Sequence, residues 1–573
     1  MSEARTWVAR GGRRWVAPPD DEPRVSALLG LGLPAAVARV LAARGHDGPS
    51  ARAFLTPDTL RSHDPGLLLN AERVVRRIHA AVERSEHIRL VTDYDVDGTT
   101  SCLILHAALD RLVAARSSAA VVSYHVPDRF TEGYGLSSRA VERAAADGVS
   151  LLITADIGVR DHVTVKLAAE RGMDVLVCDH HLPSGESVPE AAYAVVCPPQ
   201  PGCGYPNKAL AACGVSLKLS EALLAEDARR DATLRSMTKL AAIGTIADVV
   251  DLGTAENRGI VARGLRALNE DRHSPGLTAL LAVARNTTEP IDAVTVGWRI
   301  APRINAAGRV DDANAVIRLL RERDPEAARV QAAQIDALNR ARQDLQGELL
   351  GLAERLVADP PPAFVTVWGR EDEGWHRGVV GIVASKLRER ANRPVAVVSV
   401  LGGGVATGSV RSVPAVHAVR ALDAAAPLLL RYGGHAAAAG FSVREADLPR
   451  LAELLASFVA DHVGDEALVG EERVDLVLRP REVELGLVRG LEALEPTGKG
   501  NERPTVAVEG PVRVRSVTPK GHAFLDVGGA PAVWWNAGER AADANGATVA
   551  FGHLEIDRYR GEASARLTVD DVA

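Results

Sequence analysis

The residues best suited to chemistry stand where three apolar runs stop. Val175-Leu176-Val177-Cys178 ends in Asp179-His180-His181, Ile88-Arg89-Leu90-Val91-Thr92 in Asp93-Tyr94-Asp95-Val96-Asp97-Gly98, and Leu151-Leu152-Ile153-Thr154-Ala155 in Asp156-Ile157-Gly158. Side chains alternate between faces along a strand, but adjacent residues just past its end can turn into one crevice. In open α/β sheets that crevice, outside the carboxyl ends of the strands, is where ligands bind. A further acid, Asp248, lies in a nearly all-apolar helical stretch at 236–250, where a lone carboxylate is costly unless paired or metal-bound. Asp95, Asp97, Asp156, His180 and Asp248, with Asp93 beside them, make a carboxylate-rich donor set with one imidazole. Such donors suit Mn2+ or Mg2+, and so many anions in one place call for two ions. A two-metal site can activate a water and stabilise the leaving oxygen of a phosphodiester. Asp179, His181 and the later His435 are the candidates for moving or holding a proton, a structural histidine being the alternative for His435.

The elements that must position these groups alternate. Helical spacing at 71–85, 99–112, 137–147 and 161–171 is interleaved with strand-like runs at 88–92, 121–126, 150–155 and 173–178, the pattern of a parallel sheet covered by helices. Asp95 and Asp97, two apart, would share a face if extended, and the helix just beyond favours anions at its N-terminus. Residues 182–232 read as a Pro/Cys/Gly loop and a helix, and 255–320 as helical. A charged helical run from 325 to 358 stops at Asp359-Pro360-Pro361-Pro362 and reads as a spacer between two domains. A second α/β pattern fills 363–463, and short strands between Gly/Pro turns make 470–573 a small all-β domain. The expected division is an N-terminal segment (1–70), a catalytic domain (71–324), a connecting helix (325–360), a smaller α/β domain (361–465) and a β-barrel of OB type (470–573).

Cations that could hold phosphate are spread along the chain. Arg129 lies in a Gly-containing loop, and Arg303, Asn305 and Arg309 flank the small-residue segment Ala306-Ala307-Gly308. Ser409 and Arg411 fall in Ala406-Thr407-Gly408-Ser409-Val410-Arg411, read as a Gly-bearing turn fit for an oxyanion. In the tail, Arg513, Arg515 and Lys520 beside Trp534 and Trp535 suit a single-strand-binding barrel, with Trp534 as the stacking platform.

Composition narrows the classes. In 573 residues, 47% apolar and 25% charged composition is ordinary for globular chains, so several cores are expected. The net charge of −7 speaks against a wholly basic nucleic-acid binder, although a metal nuclease must itself carry clustered acids. Five cysteines with no C-x-x-C pair argue against a disulfide framework, leaving a structural zinc at Cys197, Cys203 and Cys213 as a minor alternative. No long apolar window or leader-like N-terminus is evident, so a soluble, cytoplasmic protein is expected.

Asp93 to Gly98, Asp156, Asp179-His180-His181 and Gly244-Thr245-Ile246-Ala247-Asp248 resemble the four motifs of the DHH phosphoesterases. Trp375 to Ser385 and Gly433-Gly434-His435 to Gly440 resemble that family's associated second domain. Within the family, the Arg303 to Arg309 segment, the spacer and the β-rich tail are most like its single-stranded-DNA exonucleases. The resemblance implies a Mn2+- or Mg2+-dependent 5′-to-3′ exonuclease releasing mononucleotides in repair and recombination. It also implies that Arg129, Arg309, Ser409 and Arg411 grip a 5′ phosphate, and that a single-strand-binding protein and a helicase are the partners to expect. Some relatives carry a metal-binding histidine four residues before the second aspartate of the first motif, where this chain has Val91, with Asp93 as a possible substitute. Two other readings stand beside this one: a phosphodiesterase for short oligonucleotides or cyclic dinucleotides, and an inactive strand-binding scaffold.

Overall fold

The computed structural model describes the chain except residues 1–3, 58–61, 184, 186, 286–288, 311, 465–467 and 559–561. Parts of the expected helical stretch 255–320 therefore lie outside the described residues. Two compact units emerge, one of residues 49–339 with 494–503, the other of residues 1–48, 340–493 and 504–573.

The first unit is built on five parallel strands: β1 (His87–Thr92), β2 (Val121–His125), β3 (Leu151–Ala155), β4 (Asp174–Cys178) and β5 (Ala194–Val196). Their spatial order is β2-β1-β3-β4-β5, a doubly wound arrangement whose order reverses beside β1. Strand β5 falls inside what the sequence presents as loop, because three residues between a Tyr and a Cys-Pro are too few to show a period. Every residue of β3 is buried, and a separate apolar cluster covers each face of the sheet, as parallel sheets require. Helices α1 (Val96–Arg116), α2 (Ala212–Leu223), α3 (Arg230–Ala247) and α4 (Ala301–Val310) belong to the same unit. Helix α5 (Pro325–Glu354) is one continuous element of 30 residues.

In the second unit, β6 (Val365–Arg370), β7 (Val395–Val400), β8 (Val405–Arg411), β9 (Leu429–Gly434) and β10 (Ala438–Arg444) form a mixed sheet ordered β9-β10-β8-β7-β6, with α6 (Val380–Ala391) packed on it. The tail folds as a seven-stranded sheet from Leu476–Leu478 to Ser564–Val572, the last strand being one that turn signals alone do not reveal. The N-terminal segment belongs with this tail only as far as residue 48; its remainder falls in the first unit. Strands Arg5–Val8 and Arg14–Ala17 form a hairpin that pairs with Glu471–Arg473, and Trp15 stacks on Phe551 with ring centroids 4.7 Å apart.

Candidate metal centre

Each acid reaches the carboxyl edge of the first sheet for a local reason. Helix α1 begins at Val96, earlier than its sequence period indicates, because the Asp95 side chain accepts from the Gly98 N–H as an N-cap. Gly98 is required there, since a Cβ would lie 2.3 Å from the Asp93 carbonyl oxygen. Asp97 consequently sits in the first turn of a helix, not in an extended segment. Its carboxylate accepts from the backbone N–H groups of Ala212 and Cys213, each at 2.8 Å, so the N-terminus of α2 holds it in place. Asp156 follows β3 with φ +65°, a left-handed conformation uncommon outside glycine, which turns its carboxyl from the strand into the crevice. Asp248 is the C-cap of α3 and has a side-chain exposure of 24%, placing it at the open end of the helix instead of within it.

These groups converge. His180 Nε2 lies 3.2 Å from Asp156 Oδ1, 3.7 Å from Asp248 Oδ2 and 3.8 Å from Asp97 Oδ2. Donor atoms of Asp97, His180 and Asp248 all fall within 4.8 Å of one another, and so do those of Asp93, Asp95 and Asp156. A third such set, Asp156, His180 and His181, bridges the two. The residues fit divalent cations on three counts. His180 Nε2 and Asp93 Oδ1 are buried without a hydrogen-bond partner, and a buried polar atom left this way is expensive. Burial, then mutual repulsion among the acids, raises the carboxyls of Asp93, Asp156 and Asp248, the last to about 9; a bound cation would relieve that repulsion. Burial also lowers the His180 imidazole, which favours the neutral form that ligates metals. Val91, at the position where some relatives place a histidine, is wholly buried in the apolar layer; Asp93 instead completes the second donor set. The clusters contain no cysteine among the described residues, and the five cysteines are free thiols.

Asp179 is not a donor in any of these sets. Its Oδ2 accepts from Val159 N–H at 3.0 Å, and its Oδ1 accepts from the N–H groups of His180 and His181 and faces His181 Nδ1 at 2.8 Å. Burial pushes this carboxyl up, but the bond to His181 and the nearby imidazoles outweigh it and hold it at about 2. The same bond raises His181 against the lowering effect of burial, and His181 Nε2 faces the Tyr134 hydroxyl at 3.3 Å. Asp179 therefore orients the His181 ring through Nδ1 and favours its protonated form.

The phosphate candidates divide. Arg129 lies over the Tyr94 ring at 4.1 Å, beside Asp93, and its Nε is buried without a partner. Arg309 is half-buried on α4 with its charge close to Tyr94, and Asn305 is half-buried on the same helix. Arg303 is a correction: it is spent on Asp336, at 2.8 Å, and on the Arg299 carbonyl, a tie between α4 and α5. In the second unit Ser409 and Arg411 occupy strand β8, not a turn. Being two apart they share a face, and Arg411 donates to Ser409 Oγ at 2.7 Å. Burial, then the neighbouring Arg388, disfavours the charge on Arg411, so an anion beside it would be favourable. His435 is exposed in the turn between β9 and β10. In the tail, Trp534 is 5% exposed under the Arg540 guanidinium, so it is a core residue and cannot stack on a base. The neighbouring Trp535 is 43% exposed, edge-on to His522 and beside Arg566. Arg515 is paired with Asp526, whereas Arg513 is exposed.

A doubly wound sheet with acids and one imidazole caged at its switch point defines a metal-dependent phosphoesterase of the DHH type. Family models agree domain by domain: DHH family, N-terminal domain, over residues 87–245; DHHA1 domain over 361–461; RecJ OB domain over 474–571. The single-stranded-DNA-specific exonuclease RecJ of Bacillus subtilis is 34% identical over 98% of this chain and 71% of its own length. Crystal structures of RecJ from Thermus thermophilus superpose with a TM-score of 0.81 for the Mn2+ complex, 29% identical over 97% of this chain and 78% of that one. The Mg2+ complex gives 0.73, with 27% identity, 97% of this chain and 77% of that one. The chain belongs to the RecJ family of single-stranded-DNA-specific exonucleases.

Proposed function

We propose that the protein hydrolyses phosphodiester bonds of single-stranded DNA from the 5′ end, with Mn2+ or Mg2+, releasing mononucleotides in repair and recombination. The observation that carries this reading is the pair of donor sets, Asp97-His180-Asp248 and Asp93-Asp95-Asp156, joined through Asp156 and His180. Ions held there would supply an activated water and neutralise charge on the phosphoryl oxygens. The chain's own groups do the rest. Asp179 holds Nδ1 of His181 and raises its imidazole, leaving Nε2 toward Tyr134, an arrangement that suits a general acid for the departing sugar oxygen. Arg129 and Arg309, gathered around Tyr94, neutralise the backbone. Ser409 and Arg411 provide a second anion site for the terminal phosphate. On the tail, Trp535 takes over the stacking role expected of Trp534, assisted by the exposed Arg513. His435 stays a candidate for contact with the substrate's end. On this reading the protein works on DNA in the cytoplasm, with a single-strand-binding protein and a helicase to present its substrate; among the described residues no helix is long and apolar enough to cross a membrane.

The test is a product analysis on long single strands labelled at either end, with Mn2+, for wild type and Asp156→Ala. Expected are 5′ mononucleotides from wild type and loss of at least a thousandfold in the variant. Cleavage of dinucleotides with long strands untouched would replace this reading with a short-substrate phosphodiesterase, and tight binding without hydrolysis would replace it with a scaffold.

A further inference from the structure

The segment 494–503, which leads in sequence to the barrel strand Thr505–Glu509, is built into the first unit. Arg258 is wholly buried, and its guanidinium donates to the carbonyls of Phe54, Leu494, Glu495 and Pro496 at 2.8–3.0 Å. A buried charge needs several such bonds to be tolerated, and three of these four hold one short peptide. Asn501, 1% exposed, donates to Leu494 and Pro496 carbonyls from within the segment. Gly498 and Asn501 exchange backbone hydrogen bonds at 2.8 and 3.0 Å, closing a two-residue turn with Lys499 and Gly500 at its tip. Gly500 has φ +75°, and a Cβ there would lie 1.9 Å from Asp251 Oδ1. The Leu252 N–H donates to the Lys499 carbonyl at 2.7 Å. The turn is thus clamped on the loop that directly follows Asp248, with the Lys499 side chain exposed.

A linker needs none of this. Two positions, one buried arginine and one buried asparagine, fix the peptide so that the exposed Lys499 side chain is carried on a turn bonded to the loop that directly follows Asp248. We propose that Lys499 contacts a phosphate of the strand being cut, so that the segment entering the barrel completes the catalytic site. The inference rests on the exonuclease reading above and adds a substrate-binding residue to it. Were Lys499 there to tune Asp248 instead, its removal would act on metal affinity; as a phosphate contact, it acts on substrate and on salt dependence.

The experiment uses the full-length protein and compares wild type, Lys499→Ala and Lys499→Arg on single-stranded oligonucleotides. It records KM, kcat, Mn2+ half-saturation and the slope of log(kcat/KM) against log salt. Each phosphate contact to a single strand contributes about −0.7 to that slope. Expected for Lys499→Ala are a KM raised about tenfold, a slope shallower by about 0.7 and Mn2+ half-saturation within about threefold of wild type, with Lys499→Arg restoring slope and KM. An unchanged slope, or a shifted Mn2+ requirement with KM intact, overturns the assignment while leaving the exonuclease reading standing. Absence of metal-dependent cleavage by wild type overturns both.

Discussion

Removing an acid from the cage should make the metal-free protein more stable and the enzyme inert. Take Asp248→Asn, which keeps size and removes charge. Burial, with Asp97 and Asp95 nearby, pushes the Asp248 carboxyl from 3.8 to about 9. A folded value above the unfolded one means that the native state keeps a proton the unfolded chain has released. Stability is therefore full below about pH 4 and declines as pH rises through the window toward 9. At pH 7 the interval from 3.8 spans 3.2 units, worth about 4 kcal/mol at 1.36 kcal/mol per unit. The side chain is 24% exposed, so water at its open edge screens part of this, and about 2 kcal/mol is the expected gain. For a unit of this size, that raises Tm by about 4 °C.

The assay is calorimetry of chelator-treated wild type and Asp248→Asn between pH 5 and 8, repeated with Mn2+. The wild-type Tm should fall with pH more steeply than that of the variant, and the two curves should approach each other at the acid end. Mn2+ at a hundred times its Kd should add about 2.7 kcal/mol to wild type and clearly less to the variant, whose nuclease activity should be lost. An Asp248→Asn protein that is destabilised equally at pH 5 and pH 8, or a wild type that Mn2+ does not stabilise, would refute the idea that repelling carboxylates await cations here.

Asp179→Asn should lower kcat about a hundredfold with Mn2+ half-saturation little changed, since Asp179 orients His181 and lies outside the donor sets. Its carboxyl is held at about 2, below the ordinary 3.8, so it contributes about 2 kcal/mol that is present above pH 4 and lost as pH falls through 2; acid denaturation of the variant should lack that step. Arg411→Lys should raise KM for 5′-phosphorylated strands about tenfold and leave unphosphorylated ones unaffected, measured by paired kinetics, because a lysine cannot reproduce the planar fork beside Ser409. Trp535→Ala should weaken single-strand binding by about 1–3 kcal/mol with Tm unchanged, whereas Trp534→Ala should cost about 3–5 kcal/mol of stability; titration and calorimetry on both variants separate the two roles.

Trp534 and Trp535 also show which information a sequence carries and which it withholds. A strand's period tells that neighbours point oppositely, but not which of two adjacent indoles faces inward, and here the inner one is Trp534. Most of the acids were legible because they follow apolar strands, and a parallel sheet gathers its carboxyl ends at one edge; Asp248, at the end of helix α3, was legible as a lone carboxylate in an apolar stretch. What supports them was not legible, because it is contributed from afar. Asp97 is held by the N–H groups of Ala212 and Cys213, and backbone donors leave no mark in composition. Arg303 looked free until Asp336, 33 residues later, came alongside it. The N-terminal hairpin was not legible either, since its place is set by Phe551 and by strand Glu471–Arg473. Lys499 lies in a stretch rich in Gly and Pro, the composition of a linker, and the bonds from Arg258 and Leu252 are what show it docked. The pattern has a physical cause. A metal ligand must be a particular residue type at the end of a strand or helix, so its identity is written locally. The groups that hold the ligands and meet the substrate need only reach, and reach is a property of the fold.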